Sequence, residues 1–269
     1  MNPFELHVGD GPIILAQPHC GTYVPSEIMA KLNATGQALA DTDWHITQLY
    51  DGLCKNATII KANFHRYVID ANRDPADISL YPGQNSTSLC PVTDFDGAPI
   101  YKSGMEPSAD EILNRKQTWH APYHHALQNQ IHRVKSHHDI AVVYDCHSIR
   151  SRIPFLFEGT LPDLNIGTDD GRTCSPELQS IVHKCAASSP YNTVLNGRFR
   201  GGWTTRHYGK PQTDVHAIQM EIAQQAYLEH ERAPWNYDEA KSAKLRVVIK
   251  KILDALTGHI LKMQKDMKP

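Results

Sequence analysis

The sequence predicts an α/β protein built around one central sheet. Three observations carry that expectation. Short β-branched runs alternate with segments of helical period along the chain. No internal repeat or low-complexity linker divides it, so residues 1–269 read as one domain. Two apolar runs also end on histidines, and the carboxyl ends of strands are where open α/β sheets place their chemistry.

The strands are expected in "PIILAQPH" (12–19), "ATIIKANF" (57–64), "YVIDA" (67–71), "DIAVVYDCH" (139–147), "TVLNG" (193–197) and "HAIQMEI" (216–222). Helices are expected over 44–55, over 108–136 with a break or kink near Pro122, over 176–187, and at the C-terminus over 237–265. In the last helix Leu245, Ile249, Ile252, Leu256, Ile260 and Met263 recur at three- and four-residue spacing, which predicts one apolar face for core packing. Residues 73–108 form a long stretch rich in Pro, Gly, Asp and Ser, expected to be an active-site loop. "NGRFRGGWTTRHYG" (196–209) is a second such loop.

Composition narrows the function. With 41% hydrophobic and 21% charged residues, a net charge of -2 and no segregation of sign, no nucleic-acid footprint or polybasic membrane patch is expected. The apolar runs "IILA" and "AVV" are too short to span a bilayer. "MNPFELHVGDG" lacks the basic and apolar regions of a signal peptide, so a cytoplasmic protein is expected. The six cysteines are scattered with no CxxC pair and read as reduced thiols.

The chemistry centres on "VVYDCHSIRS". Strand alternation puts Val143, Asp145 and His147 on one face and Val142, Tyr144 and Cys146 on the other. Asp145 is thereby placed to orient the His147 imidazole as a metal ligand. A lone D-x-H is a weak signal; His19, at the end of another strand, strengthens it, because both rings could share one cation at the same sheet edge. "ALADTDWHITQLYD" offers a third ligand. Asp41, Thr42 or Asp43 would each make an ordinary helix N-cap; Asp43 is the favoured ligand and Asp41 the alternative. On the strand "HAIQMEI", Ile218, Met220 and Ile222 share one face, Gln219 and Glu221 the other. Glu221 is either a general base tuned by burial or part of a half-exposed polar face. Asn72 and Arg73 follow an expected strand, and Arg73, Arg150, Arg152 and Arg206 would suit an anionic substrate, although a surface position is the ordinary reading of any single arginine.

Taken together, "PHCGTYVP", "DTDWHITQLYD", "RYVIDANRDP", "YDCHSIRSRIP", "NGRFRGGWTTRHYG" and "HAIQMEIAQQAYL" resemble the N-formylglutamate amidohydrolases, deformylases of bacterial histidine degradation. The resemblance runs in order from about Leu15 to Leu228 and is joined by "GMEPS", "WHAPYHHAL" and "LFEGTLPDLNIGT"; more distantly it extends to zinc carboxypeptidases and aspartoacylases. It implies a phosphorylase/hydrolase-like three-layer α/β/α fold with a central mixed sheet. It also implies a divalent metal, Zn²⁺ in preference to Co²⁺ or another ion, and hydrolysis of N-formyl-L-glutamate to formate and L-glutamate. The wider group carries H-x-x-E on its first ligand loop, whereas Thr22 stands three residues after His19 here. Asp43 is taken as the replacement.

On this reading His19, Asp43 and His147 hold the metal and Glu221 is the base. Arg73 stabilises the oxyanion or holds a carboxylate, Arg150 and Arg206 hold the other carboxylate, and Asn72 orients the amide. His124 recurs in the family pattern and is expected to face the substrate, while His120 is structural. A monomer or small homo-oligomer is expected, with no nucleic-acid or membrane partner. The alternatives are a related N-acyl amino-acid deacylase, a cysteine-dependent amidase using Cys20 with His147, and a non-catalytic dicarboxylate-binding protein.

Overall fold

A computed structural model describes residues 1–80 and 83–266; Tyr81 and Pro82, in the long loop, lie outside the described residues. Seven strands form one mixed sheet in the order β1-β3-β2-β4-β7-β5-β6. They are β1 (Phe4–His7), β2 (Ile13–Gln17), β3 (Thr58–Ala62), β4 (Ala141–Ile149), β5 (Leu164–Gly167), β6 (Thr193–Leu195) and β7 (Val215–Ala223). The central strands β3, β2, β4 and β7 pair in parallel, while β1 on β3 and β5 on β7 are antiparallel. The helices are α1 (Ser26–Met29), α2 (Ala34–Gln37), α3 (Ile46–Tyr50), α4 (Ala109–Arg115), α5 (Ala121–His138), α6 (Pro176–Ala187), α7 (Trp203–Tyr208) and α8 (Glu239–Asp266).

Alternation along the strands divides the core into two layers. Ile13, Leu15, Val142, Tyr144, Cys146, Ile218, Met220 and Ile222 pack against α3, α6 and α8. Ile14, Ala16, Val143 and Ala217 face the other way, against α5 and the segment that follows β3. Leu245, Ile249, Ile252, Leu256 and Ile260 of α8 are fully buried, but Met263 is exposed, so the apolar face ends one turn earlier than its spacing suggests.

Other expectations are corrected. Residues 67–71 form turns, not a strand: Val68 N–H donates to His65 O and Asp70 N–H to Leu89 O, so no ladder forms. The helix expected over 44–55 is only Ile46–Tyr50; His45 before it is left-handed (φ 57°) and Gly52 beyond it takes φ 68°. Around Pro122 the chain inserts a π-helical turn at Lys116–His120, so proline falls in the first turn of α5, where its missing N–H costs little. The half-exposed edge strand β1 and the four-residue β5 were not anticipated.

Candidate active site

Three chain segments meet at the carboxyl ends of β2 and β4. His19 lies two residues beyond β2, His147 lies in the last turn of alternation of β4, and Asp43 comes from the loop before α3. His19 Nδ1 is 3.2 Å from His147 Nδ1, and Asp43 Oδ2 is 3.3 Å from His147 Nδ1 and 3.9 Å from His19 Nδ1. All three side chains are buried, and their ligand atoms lie within 4.8 Å of one another. The Asp43 loop is fixed from both sides. Asp43 N–H donates to His19 O at 3.0 Å, and Ser148 N–H donates to Asp43 Oδ2 at 3.2 Å.

The outer ring nitrogens have fixed partners as well. His19 Nε2 is 2.7 Å from Asp70 Oδ1, and His147 Nε2 is 3.2 Å from Asp145 Oδ1 and 3.0 Å from Asn72 Nδ2. A carboxylate only accepts, so His19 Nε2 carries the proton and its Nδ1 presents a lone pair. Asn72, whose amide oxygen is taken by Thr204 N–H, donates from Nδ2 to His147 Nε2, so His147 Nδ1 carries the proton toward Asp43 Oδ2 and would have to give it up for a cation. Two imidazole nitrogens and a carboxylate oxygen converge on one point, an arrangement that suits a divalent cation. The two rings differ in their titration. Burial, with Arg66 beside it, holds His19 below its ordinary value, so it is neutral as a ligand must be. Burial works against charge on His147, yet the Asp145 and Asp43 carboxylates raise it well above the usual imidazole range. Burial likewise opposes charge on Asp70, but His19, Arg73 and Arg66 keep it well below the usual carboxylate range. The negative charge gathered here calls for a positive one, and the residues present fit a metal ion.

Glu221 stands beside this cluster. On the parallel pair β4–β7 it is the register partner of His147 and points to the same side of the sheet. It is buried, and its Oε2 accepts a hydrogen bond from Gln219 Nε2 at 3.2 Å. Burial, with Asp43 and Asp145 nearby, pushes its carboxyl up to about 8. Glu221, Gln219, His19, His147, Asn72 and Gly202 line a cavity of about 80 Å³, whose outer wall includes Phe95, Ile149, Leu156 and Phe199.

Comparison with known proteins places this geometry. The N-formylglutamate amidohydrolase family profile matches residues 11–228. The chain belongs to that family. The N-formylglutamate deformylase of Pseudomonas aeruginosa is 42% identical over 250 residues, covering 92% of this chain and 93% of that one. The corresponding deformylase of Pseudomonas putida is 41% identical over 254 residues, covering 94% of each. Among solved structures, the N-formylglutamate amidohydrolase of Ralstonia eutropha matches with a TM-score of 0.81 at 23% identity, over 98% of this chain and all (100%) of that one. A gene product of Agrobacterium tumefaciens matches with a TM-score of 0.73 at 17% identity, over 98% and 97%. These two show the shared fold.

Within this amidohydrolase-family chain the remaining expected site residues fall into two groups. Asn72 and Arg73 line the cavity. Asn72 Oδ1 accepts from Thr204 N–H at 2.8 Å, and Arg73 donates from Nε to Thr87 O at 2.9 Å and from Nη2 to Thr87 Oγ1 at 3.1 Å. Arg150, Arg206 and His124 are not among the residues that line this cavity. Arg150 pairs with Asp96 at 2.9 Å. Arg206 pairs with Asp169 at 3.2 Å and donates to Gly201 O at 2.9 Å. His124 is buried between Tyr208 Oη (3.0 Å) and Ala71 O (2.7 Å), where it supports the turn that delivers Asn72.

Asp41 is drawn away from the cluster. Its Oδ2 accepts from Tyr67 Oη at 2.7 Å and from Phe95 N–H at 2.9 Å, anchoring the long loop. Cys20 is off the cavity wall; its thiol donates to Gln17 O at 3.4 Å, and burial pushes it up to about 11. Cys146 is buried in the opposite core layer. Neither thiol lines the cavity.

Sequence reasoning passed over Arg66, Asp70, Gln219 and Arg198. Arg66 lines the cavity, is buried, lies over the Phe95 ring at 4.8 Å and reaches Asp43 at 3.6 Å. Arg66 and Asp70 both sit in "RYVIDANRDP", so the signal was present, but their neighbours in that motif drew the reading.

Proposed function

We propose that this chain is a metal-dependent N-formyl-L-glutamate deformylase, releasing formate and L-glutamate in histidine degradation in the cytoplasm. The observation that carries the proposal is the convergence of His19 Nδ1, His147 Nδ1 and Asp43 Oδ2 beside the buried Glu221. The family membership and the names of the two Pseudomonas relatives support the substrate.

A divalent ion held by His19, Asp43 and His147, with Zn²⁺ the ion best suited to such a donor set, would polarise the formyl carbonyl and acidify a water. The chain's own groups do the rest. Glu221 takes a proton from the attacking water as the water oxygen bonds to the formyl carbon. It passes that proton to the amide nitrogen as the C–N bond breaks. Asn72 orients the amide, and Arg66, Arg73 and Arg198 give the cavity the positive wall that two substrate carboxylates require. Phe95, Ile149, Leu156 and Phe199 exclude water.

The test is formate release from N-formyl-L-glutamate, N-formyl-L-glutamine and N-formyl-L-alanine. The highest kcat/KM is expected for the dicarboxylate, by at least tenfold. Equal rates on the three, or none on the first, would reject the substrate assignment.

A further inference from the structure

Gln219 is the side chain on this cavity to which nothing above gives a role. It is buried on β7, one alternation before Glu221 and on the same face. Its Oε1 accepts from Gly202 N–H at 2.6 Å, and its Nε2 donates to Glu221 Oε2 at 3.2 Å. The first contact fixes the second, because an amide whose oxygen faces an N–H must turn its NH₂ the other way. Gly202 packs closely on Asn72: a Cβ there would lie 2.3 Å from Asn72 Nδ2. Two residues on, Thr204 N–H donates to Asn72 Oδ1 at 2.8 Å, and Asn72 Nδ2 faces His147 Nε2 at 3.0 Å. The start of α7, Asn72, His147, Glu221 and Gln219 therefore form one linked set around the reacting position.

We propose that Gln219 is a positioning residue that aims the Glu221 carboxylate, using the backbone of Gly202 as its fixed point. The inference rests on Glu221 acting as the base. A carboxylate that collects a proton at one place and releases it at another must be held in one rotamer, and a buried glutamate has several torsions to restrain. A single donated hydrogen bond from an amide that cannot flip supplies the restraint. Gln219 does not touch the proton; it acts through Glu221.

The test is a double-mutant cycle, which separates action through Glu221 from general support of the fold. Gln219→Met preserves length and removes both hydrogen bonds; Gln219→Glu keeps the acceptor for Gly202 N–H and removes the donor to Glu221. In the metal-loaded parent, each variant is expected to lower kcat for N-formyl-L-glutamate by 10- to 100-fold (~10–100) with metal content retained. Gln219→Glu should leave KM within about threefold, since the loop stays anchored. In the Glu221→Gln background, Gln219→Met should change kcat by less than about twofold, because the group it aims is gone. Equal losses in both backgrounds, or parental kcat in either single variant, would overturn the assignment. Failure of the underlying reading looks different: Glu221→Gln itself would then turn over like the parent.

Discussion

His147 and Glu221 are register partners on adjacent parallel strands, so a candidate metal ligand and a candidate base project from the same level of the same face. The pairing of β4 with β7 sets their spacing, and both strands are buried along nearly their whole length. The site therefore has His147 and Glu221 on rigid strands, while His19 and Asp43 come from the loops that follow β2 and precede α3.

Removing the base while keeping its shape tests the chemistry directly. Glu221→Gln should lower kcat by about 10²–10⁴-fold, with bound metal unchanged. Initial rates of formate release, measured beside metal content, check it. A loss of metal in step with activity would instead make Glu221 a ligand.

Asp70 holds the proton on His19 Nε2 and so points Nδ1 inward. Asp70→Asn weakens that hold without changing shape. Metal affinity, measured by competition with a chelator, should fall by about 10–100-fold. Unchanged affinity would mean that His19 is oriented by its backbone alone.

Cys20 is expected to take no part in the chemistry. A thiol pushed up to about 11 by burial is fully protonated at neutral pH and unreactive as a nucleophile. Cys20→Ser should keep kcat/KM within about twofold, and iodoacetamide should not inactivate the enzyme faster than it does this variant. Loss of activity on substitution would revive the cysteine-dependent alternative.

Asp41 gives a pH signature in stability. Burial, only partly offset by Tyr67, Arg66 and Arg150, raises its carboxyl from 3.8 to about 6. The folded state thus holds a proton more tightly than the unfolded chain. Its contribution is fully present below pH 3.8 and is lost as pH rises through about 6, by about 3 kcal/mol in all. Urea unfolding with excess chelator should show wild type losing most of that stability, about 2 kcal/mol, relative to Asp41→Asn between pH 4 and pH 7. A difference that does not change with pH would contradict the shift.

The parts of the site legible in the sequence are those fixed by strand alternation. Asp145 and His147, and Gln219 and Glu221, fall on the faces that period two assigns them, and His19 follows a strand that is apolar on both faces. What was not legible depends on where loops carry a side chain. Asp41 and Asp43 are equivalent as sequence; the structure separates them because Tyr67 and the Phe95 backbone capture Asp41 while Ser148 N–H receives Asp43. Arg150 and Arg206 form ion pairs with Asp96 and Asp169, which lie 54 and 37 residues away along the chain, and no periodicity reveals those pairings. "YVIDA" reads as a strand because its apolar residues are β-branched; in the fold those side chains are buried in the core while the backbone turns, which brings Asp70 to His19.

Tyr227 joins the ligand loop to β4. Its hydroxyl donates to Trp44 O at 2.7 Å and meets Ser148 Oγ at 2.7 Å. Tyr227→Phe should cost about 1–2 kcal/mol in unfolding free energy and weaken metal retention on dialysis. Full retention at parental stability would show that the Asp43 loop holds its place without that bridge.

The central claim is that His19, Asp43 and His147 bind one divalent ion on which turnover depends. Metal analysis by plasma emission on dialysed wild type and His147→Ala, with formate release from N-formyl-L-glutamate assayed on the same samples, tests it most directly. Stoichiometric metal and turnover in wild type, both lost in the variant, is the predicted result; a metal-free wild type that still releases formate would contradict it.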